Sequence, residues 1–282
     1  MKEAAVMYSG GTDSTAAVIL SAERFQRMHL LTYKHSGLAY IDNSAHNIPA
    51  LRAAFPQTEF LHRVMDTDRL FKLVTFSNYL NNLKEYGLLN LGTCGFCKLA
   101  MHLRTLVYCA ENGLAEVIDG SNKNMTHFPA QMEPVLKELR GMYQRFGITF
   151  TQPVFHLDFP DGLDWLTKLG VNALVEKPAA PEAPPETMTT GRVAYEKGVL
   201  PEENVKGTDL DRKMQARCFQ LTLLNAFALG WYIPRHGYEK YTDVTLKFYS
   251  EKIRRFSDEA QRYLDGDRRS RFAGAITHAV EL

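Results

Sequence analysis

The sequence predicts an α/β protein with a mainly parallel sheet, helices on both faces and a helical C-terminal region. Three observations lead there. Short apolar runs alternate with segments of helical spacing over residues 1–157. The first run, residues 4–8, is apolar throughout and ends at two glycines, as a parallel strand buried on both faces does. Residues 209–264 carry helical spacing only, interrupted at "IPRHGYEK" (233–240).

The elements follow in order. After the strand at 4–8, Ser14 to Met28 reads as a helix and "HLLTYK" (29–34) as a second strand. Residues 43–54 have helical spacing, 58–64 form a third strand, and 66–86 a further helix. "GTCGFCK" is a glycine-rich turn that leads into a helix from about Lys98 to Asn112, with Gly113 placed as its C-terminal cap. "AEVIDGSNKN" (115–124) reads as strand and loop, 130–146 as helix, and 148–157 as strand. Residues 176–208 are rich in Pro, Glu and Gly without an apolar period, the composition of a linker or of an active-site lid. The expected division is a nucleotide-binding-type domain at 1–157, a variable loop region at 158–208 and a helical region at 209–282. "DRRSR" (267–271) is a small basic cluster of the kind that usually faces solvent.

Composition narrows the function classes. The 282 residues are 45% hydrophobic and 23% charged, with a formal net charge of +1. No global field draws such a chain to nucleic acid or to an acidic membrane. No apolar run approaches the roughly 18 residues of a membrane span. The first twenty residues contain Gly10, Gly11 and Asp13, a poor signal peptide, and a cytoplasmic protein is expected. In that compartment Cys94, Cys97, Cys109 and Cys218 are expected as metal ligands, reactive thiols or core residues, not as disulfides.

The stretch "SGGTDS" (9–14) is the most informative in the chain. A strand that ends in Gly-Gly and runs into a helix presents unpaired N–H donors and a positive helix end to an anion. Gly10 and Gly11 allow the tight approach, Ser9, Thr12 and Ser14 add hydroxyls, and Asp13 would cap the helix or hold a Mg²⁺ bridging phosphates. A Walker A loop is excluded, because the glycines are adjacent and no lysine follows. Ser9-Gly10-Gly11-Thr12-Asp13-Ser14 resembles the SGGxDS PP-loop of the ATP pyrophosphatases. That resemblance implies an adenine-nucleotide hydrolase-like fold and cleavage of ATP to AMP and pyrophosphate.

The cysteines bear on which nucleophile follows. Cys94 and Cys97 lie at a loop–helix junction, where the helix dipole favours thiolate. The segment from "TCGFCK" to "DGSNKN" resembles PP-loop sulfur transferases, including tRNA thiolation enzymes and the sulfur transferase of nickel-pincer cofactor synthesis. By that resemblance Asp119-Gly120-Ser121-Asn122 lies near the nucleotide, with Gly120 and Asn122 as contacts, and the backbone about His35 flanks adenine. It also implies a [4Fe–4S] cluster held by Cys94, Cys97 and a distant cysteine, for which Cys218 is the candidate, expected at a helix start. Zn²⁺ with His102 or His127 as a fourth ligand stays open, as does a cysteine persulfide without metal. Cys109, beside Val107 and Tyr108 in its helix, is expected in the core.

Three further residues and one segment have double readings. Lys98 and Lys123 would neutralise phosphate or cluster charge, or simply face solvent, and Arg217 would stabilise a thiolate at Cys218. The aromatic-rich segment 231–249 would stack a base, pack between helices or form a homodimer interface.

The chain departs from the tRNA enzymes at Thr12, where they carry lysine, at Ser121, Asn122 and Asn124, where they carry histidine and aspartate, and in having no second CxxC pair. The expected reaction is therefore ATP-dependent transfer of sulfur, from sulfide or a cysteine desulfurase, to a nucleobase, nucleotide or small cofactor precursor. The rivals are tRNA thiolation, an amide- or nitrile-forming ligase of the same fold, and a nucleotide-binding protein without catalysis.

Overall fold

The computed structural model describes residues 2–86, 94–157, 188–218, 224, 227–276 and 279–281, without the side chains of Cys94, Asn124 and 279–281. Its sheet has the order β6-β5-β1-β2-β4-β8. The strands are β1 (Glu3–Met7), β2 (Arg27–Lys34), β4 (Glu59–Asp66), β5 (Glu116–Asp119), β6 (Thr149–Thr151) and β8 (Ala279–Glu281). The first five pair in parallel and β8 runs antiparallel along β4. Sheet and flanking helices are as the alternation of apolar runs predicts.

The side-chain alternation of β1 explains the two layers. Ala4, Val6 and Tyr8 enter one core with α1 (Thr12–Ala22) and α2 (Ile48–Ala54). Ala5 and Met7 enter the other, with α3 (Asp68–Phe76), α5 (Cys94–Asn112), α6 (Glu133–Arg145) and the long C-terminal helix. β1 is thus apolar from Ala4 onward, after Glu3 at its start, because both its faces are covered. The helical C-terminal region comprises α9 (Ile233–His236), α10 (Tyr238–Leu264) and α11 (Arg271–Ala275). The break between α9 and α10 is Gly237 at φ 82°, inside the expected interruption.

Several boundaries differ from the sequence reading. α1 stops at Ala22 and β2 starts at Arg27, two residues before the expected strand. Residues 66–86 divide into α3 and α4 (Tyr79–Tyr86) at Ser77 and Asn78, the latter at φ 64°. The helix expected from Lys98 begins at Cys94, so the CxxC residues occupy its first turn. Gly113 ends it as expected, at φ 67°, with Leu114 N–H donating to Cys109 O at 2.9 Å.

The described part of the 176–208 stretch, residues 188–208, is folded and not a free linker. Helix α7 (Thr190–Glu196) packs on α1, and Val193, Ala194, Val199, Leu200 and Val205 are buried with it. Short helix α8 (Asp209–Met214) follows, and then β7 (Arg217–Cys218), which pairs antiparallel with β3 (Leu38–Ala39). Residues 176–187 lie outside the described residues. Among the described residues no helix is long and apolar enough to cross a membrane.

Candidate active site

The strand order reverses at β1: the chain passes to β2 and β4 on one side, then returns to place β5 and β6 on the other. Ligands of open α/β sheets bind at the carboxyl ends of strands beside such a reversal. Ser9–Ser14 follows β1 there and Asp119–Asn122 follows β5.

The loop is closed by its own hydroxyls. Ser14 Oγ accepts from Ser9 N–H at 3.2 Å and donates to Gly11 O at 3.0 Å, while Gly11 N–H donates to Ser9 Oγ at 3.3 Å. Gly10 sits at φ 81°, and a β-carbon there would lie 2.1 Å from Met214 O and 2.7 Å from Ser44 Cα. One at Gly11 would lie 2.5 Å from Gln215 Oε1, and one at Gly120 2.8 Å from Ser14 N. Glycine is therefore required at 10 and 120, where the neighbours are backbone, whereas at 11 the Gln215 side chain can give way. Gly11 is the N-cap of α1 and makes no side-chain cap, so the first-turn donors take no capping partner from it. Asp13 does not cap the helix either. Its Oδ1 accepts from Thr190 Oγ1 at 2.7 Å. Burial raises the Asp13 carboxyl above its ordinary range, against the opposing effects of that hydrogen bond and of the Lys206 charge.

The loop resembles a PP-loop in place and form.

Two cavities meet on it. The first, of about 270 Å³, is lined by Ser9, Asp13 and Ser14 together with Thr32, Tyr33, Cys97, Lys98, Asp119, Gly120 and Cys218. The second, of about 370 Å³, is lined by Ser9, Gly11, Thr12, Asp13 and Ser14 with Asn122, Thr190, Asn204, Lys206 and Gln215. Cys97 and Cys218, far apart in sequence, thus share a cavity with the loop. Cys94 begins the same helix three residues before Cys97, which puts the two positions on one face. Its side chain lies outside the described residues.

Beside Cys97, Lys98 Nζ donates to Asp119 Oδ1 at 2.6 Å, and Ser121 Oγ donates to Asp119 Oδ2. Burial works to raise the Asp119 carboxyl, but the Lys98 charge and these hydrogen bonds outweigh it and hold the carboxyl below its ordinary value. Lys98 is therefore fixed at the cavity wall and not a free surface lysine.

Other expectations need correction. Cys218 does not open a helix; it lies on β7 opposite Leu38. Arg217 alternates to the other side of that short strand, is exposed, and holds its guanidinium 5.2 Å from the Tyr40 ring, so it is not turned to the thiol. His35 is buried against Phe71 at 4.8 Å, with Nδ1 accepting from Gly37 N–H at 3.0 Å. Its side chain is thus turned from the cavity, whose β2 side is supplied by Thr32 and Tyr33, while the expectation for the backbone about His35 is untouched by this. Asn122 does line the second cavity, with Nδ2 donating to Val154 O at 3.2 Å. Cys109 is wholly buried and its thiol is pushed up by desolvation, as a core cysteine's is.

Thr190, Lys206, Gln131 and Gln215 were not singled out by the sequence. Thr189 does carry a legible signal: it caps α7 by accepting from Arg192 N–H at 3.1 Å, a Thr before a short apolar period. Lys206 has no such mark, being one polar residue in a turn.

No protein-family model matches the chain, and no curated protein matches it. Fifteen chains of solved structures do. One is a predicted subunit of tRNA methyltransferase from Methanocaldococcus jannaschii, 16% identical, covering 78% of this chain and 97% of that one with a TM-score of 0.36. Another is a 4-thiouridine synthetase in complex with RNA and bound ATP, 13% identical, covering 77% of this chain and 55% of that one, TM-score 0.40. A third is the U34-tRNA thiolase NcsA from Methanococcus maripaludis with its [4Fe-4S] cluster, 14% identical, covering 95% of this chain and 75% of that one, TM-score 0.37. The chain thus spans just over half of the synthetase. Likeness at this level leaves substrate and reaction to this chain's own residues.

Proposed function

We propose that the protein is a PP-loop ATP pyrophosphatase that activates an acceptor oxygen with ATP and replaces it with sulfur. The observation that carries this reading is the shared cavity: Cys97 and Cys218 line the same space as Ser9, Asp13 and Ser14. A nucleotide-binding protein without chemistry has no use for two thiols against its phosphate loop.

Ser9, Asp13 and Ser14 line both cavities, so the reacting α-phosphorus belongs at their junction. The acceptor oxygen attacks it from the side of the first cavity. Pyrophosphate departs toward the second, where the α1 N-terminus and Lys206 oppose its charge. The bound acceptor then carries AMP as a leaving group. A sulfur nucleophile attacks the acceptor carbon, the carbon–oxygen bond breaks and AMP leaves. Lys98, fixed by Asp119, places a positive charge beside Cys97 during both steps.

Two thiols on one cavity, with a third position in the same helix turn, suit a three-thiolate cluster better than zinc, although among the described residues no three metal-ligating side chains come together. His102 Nδ1 is engaged with Tyr143 Oη at 3.1 Å, and its ring packs on Phe150 in the core. Neither His102 nor His127 lines the first cavity. Cys94, Cys97 and Cys218 would hold the [4Fe–4S] cluster, which supplies an iron with an open position where sulfide can be carried. A closed tetrahedral zinc site wants four ligands and leaves no such position.

The Thr12, Ser121, Asn122 and Asn124 departures favour a small acceptor, a nucleobase, nucleotide or cofactor precursor, over tRNA. The test is anaerobic purification with assay of iron and acid-labile sulfide, followed by incubation with MgATP, sulfide and candidate acceptors. AMP and pyrophosphate forming together with a product in which sulfur replaces oxygen are expected. Release of ADP and phosphate in their place, or no turnover with any acceptor, overturns the reading.

A further inference from the structure

The cysteine-bearing turn is seated from behind by the C-terminal helix. A β-carbon at Gly95 would lie 1.5 Å from Tyr249 Oη, 2.4 Å from Tyr249 Cζ and 2.8 Å from Pro129 Cβ. The Tyr249 phenol therefore rests directly on the backbone of the residue between Cys94 and Phe96. Phe96 stacks on the same ring, with centroids 5.3 Å apart and planes at 16°, and meets Phe248 edge-on at 4.7 Å. Phe96 and Tyr249 are both buried almost completely. One helical turn on, Lys252 Nζ lies 5.5 Å from the Phe96 ring and donates to Val74 O at 2.9 Å, which ties the group to the end of α3.

This arrangement has a consequence for the first turn of α5. The amides of Lys98 to Met101 reach back to the carbonyls of Cys94 to Cys97. The earlier amides have no partner inside the helix. A helix start this short of its own bonds keeps one geometry only if something outside holds it. The fixed object is the face of α10, which packs on α5 and α6 through a continuous core. Glycine at 95 lets the phenol come that close, and any larger residue would push the turn away.

We propose that Tyr249 is a positioning residue that holds the Cys94–Cys97 turn in place, with Gly95 as its seat. The C-terminal region is then part of the thiol site even though it contributes no thiol from α10. The purpose of the turn rests on the sulfur-transfer reading, but the mechanical claim does not.

Hydrogen–deuterium exchange on the full-length protein tests it without reference to turnover. Tyr249→Leu and Gly95→Ala should each speed exchange of the Lys98–Met101 amides on the order of tenfold by local opening. Peptides from β1 and β2 should stay at the wild-type rate, which separates local opening from unfolding. Tyr249→Phe keeps the stacked ring but removes the Oη that touches Gly95, and should exchange at a rate between wild type and Tyr249→Leu. In the double variant Gly95→Ala/Tyr249→Leu the effects should not multiply, since both remove one contact. Should Tyr249→Leu loosen the whole sheet, Tyr249→Met keeps more bulk and carries the same expectation. Lys98–Met101 exchange at the wild-type rate in a folded leucine or methionine variant overturns the proposal. If exchange responds as expected while no acceptor is ever thiolated, only the functional reading fails.

Discussion

Thr190 Oγ1 donates to Asp13 Oδ1 at 2.7 Å across 177 residues of chain. The bond joins α7 to the second residue of α1, beside the cavity assigned to pyrophosphate. A stretch that composition marks as a linker thus supplies a direct partner to the Ser9–Ser14 loop.

Asp13→Ala should abolish pyrophosphate release while leaving the thermal transition near wild type. Thr190→Val should reduce release less severely, since it removes one hydrogen bond and leaves the carboxyl in place, a loss of about 0.5–1.5 kcal/mol. A folded Asp13→Ala protein that turns over ATP normally would refute the role of the loop.

Gly10→Ala should destabilise the protein by at least about 1–3 kcal/mol, the cost of a strained backbone at φ 81° before any clash with Met214 O is counted. Gly141→Ala is the contrasting case. It lies within α6, a β-carbon there meets nothing within 4 Å, and the substitution should stabilise by about 0.4–1 kcal/mol. Chemical denaturation of both variants measures the difference.

Cys94→Ser, Cys97→Ser and Cys218→Ser should each lose iron, colour and sulfur transfer together. Cys109→Ser should keep them and show only a lower melting temperature, because that thiol is buried in the core. An iron-free wild type that still exchanges oxygen for sulfur would shift the mechanism to a cysteine persulfide.

Lys252 should give the fold a particular alkaline response. Burial pushes its ammonium down from 10.5 to about 8. The folded state therefore holds its proton less tightly than the unfolded state. Below about pH 8 both states are charged and the full penalty applies. Between about 8 and 10.5 the unfolded chain binds more protons, so this group's contribution to stability rises with pH. The stability of wild type relative to Lys252→Met should increase over that window, as followed by urea denaturation at several pH values. A flat difference would show that the Val74 carbonyl and the aromatic rings fully compensate the charge.

Much of this protein was legible because it is local. The apolar run of β1, the helical spacing of α5 and α6 and the cap at Gly113 depend on neighbours within a turn or a strand, and the sequence carries their periods. Ser9–Ser14 was equally legible, since the loop closes through its own hydroxyls and its glycine turn. Cys109 betrayed its burial by the apolar helix around it.

What only the tertiary structure decided is the company these elements keep. Gly10 and Gly11 are confined by Met214, Ser44 and Gln215, and Gly95 by Tyr249. Cys218 reaches Cys97's cavity on a two-residue strand whose partner is Leu38, and Lys98 finds Asp119 across the sheet edge. Such pairings rest on side chains brought together by burial of two separate cores, and no period along the chain encodes which distant residue will fill a given space. A local pattern fixes the shape of a strand or a turn, whereas close packing between elements fixes who stands against it.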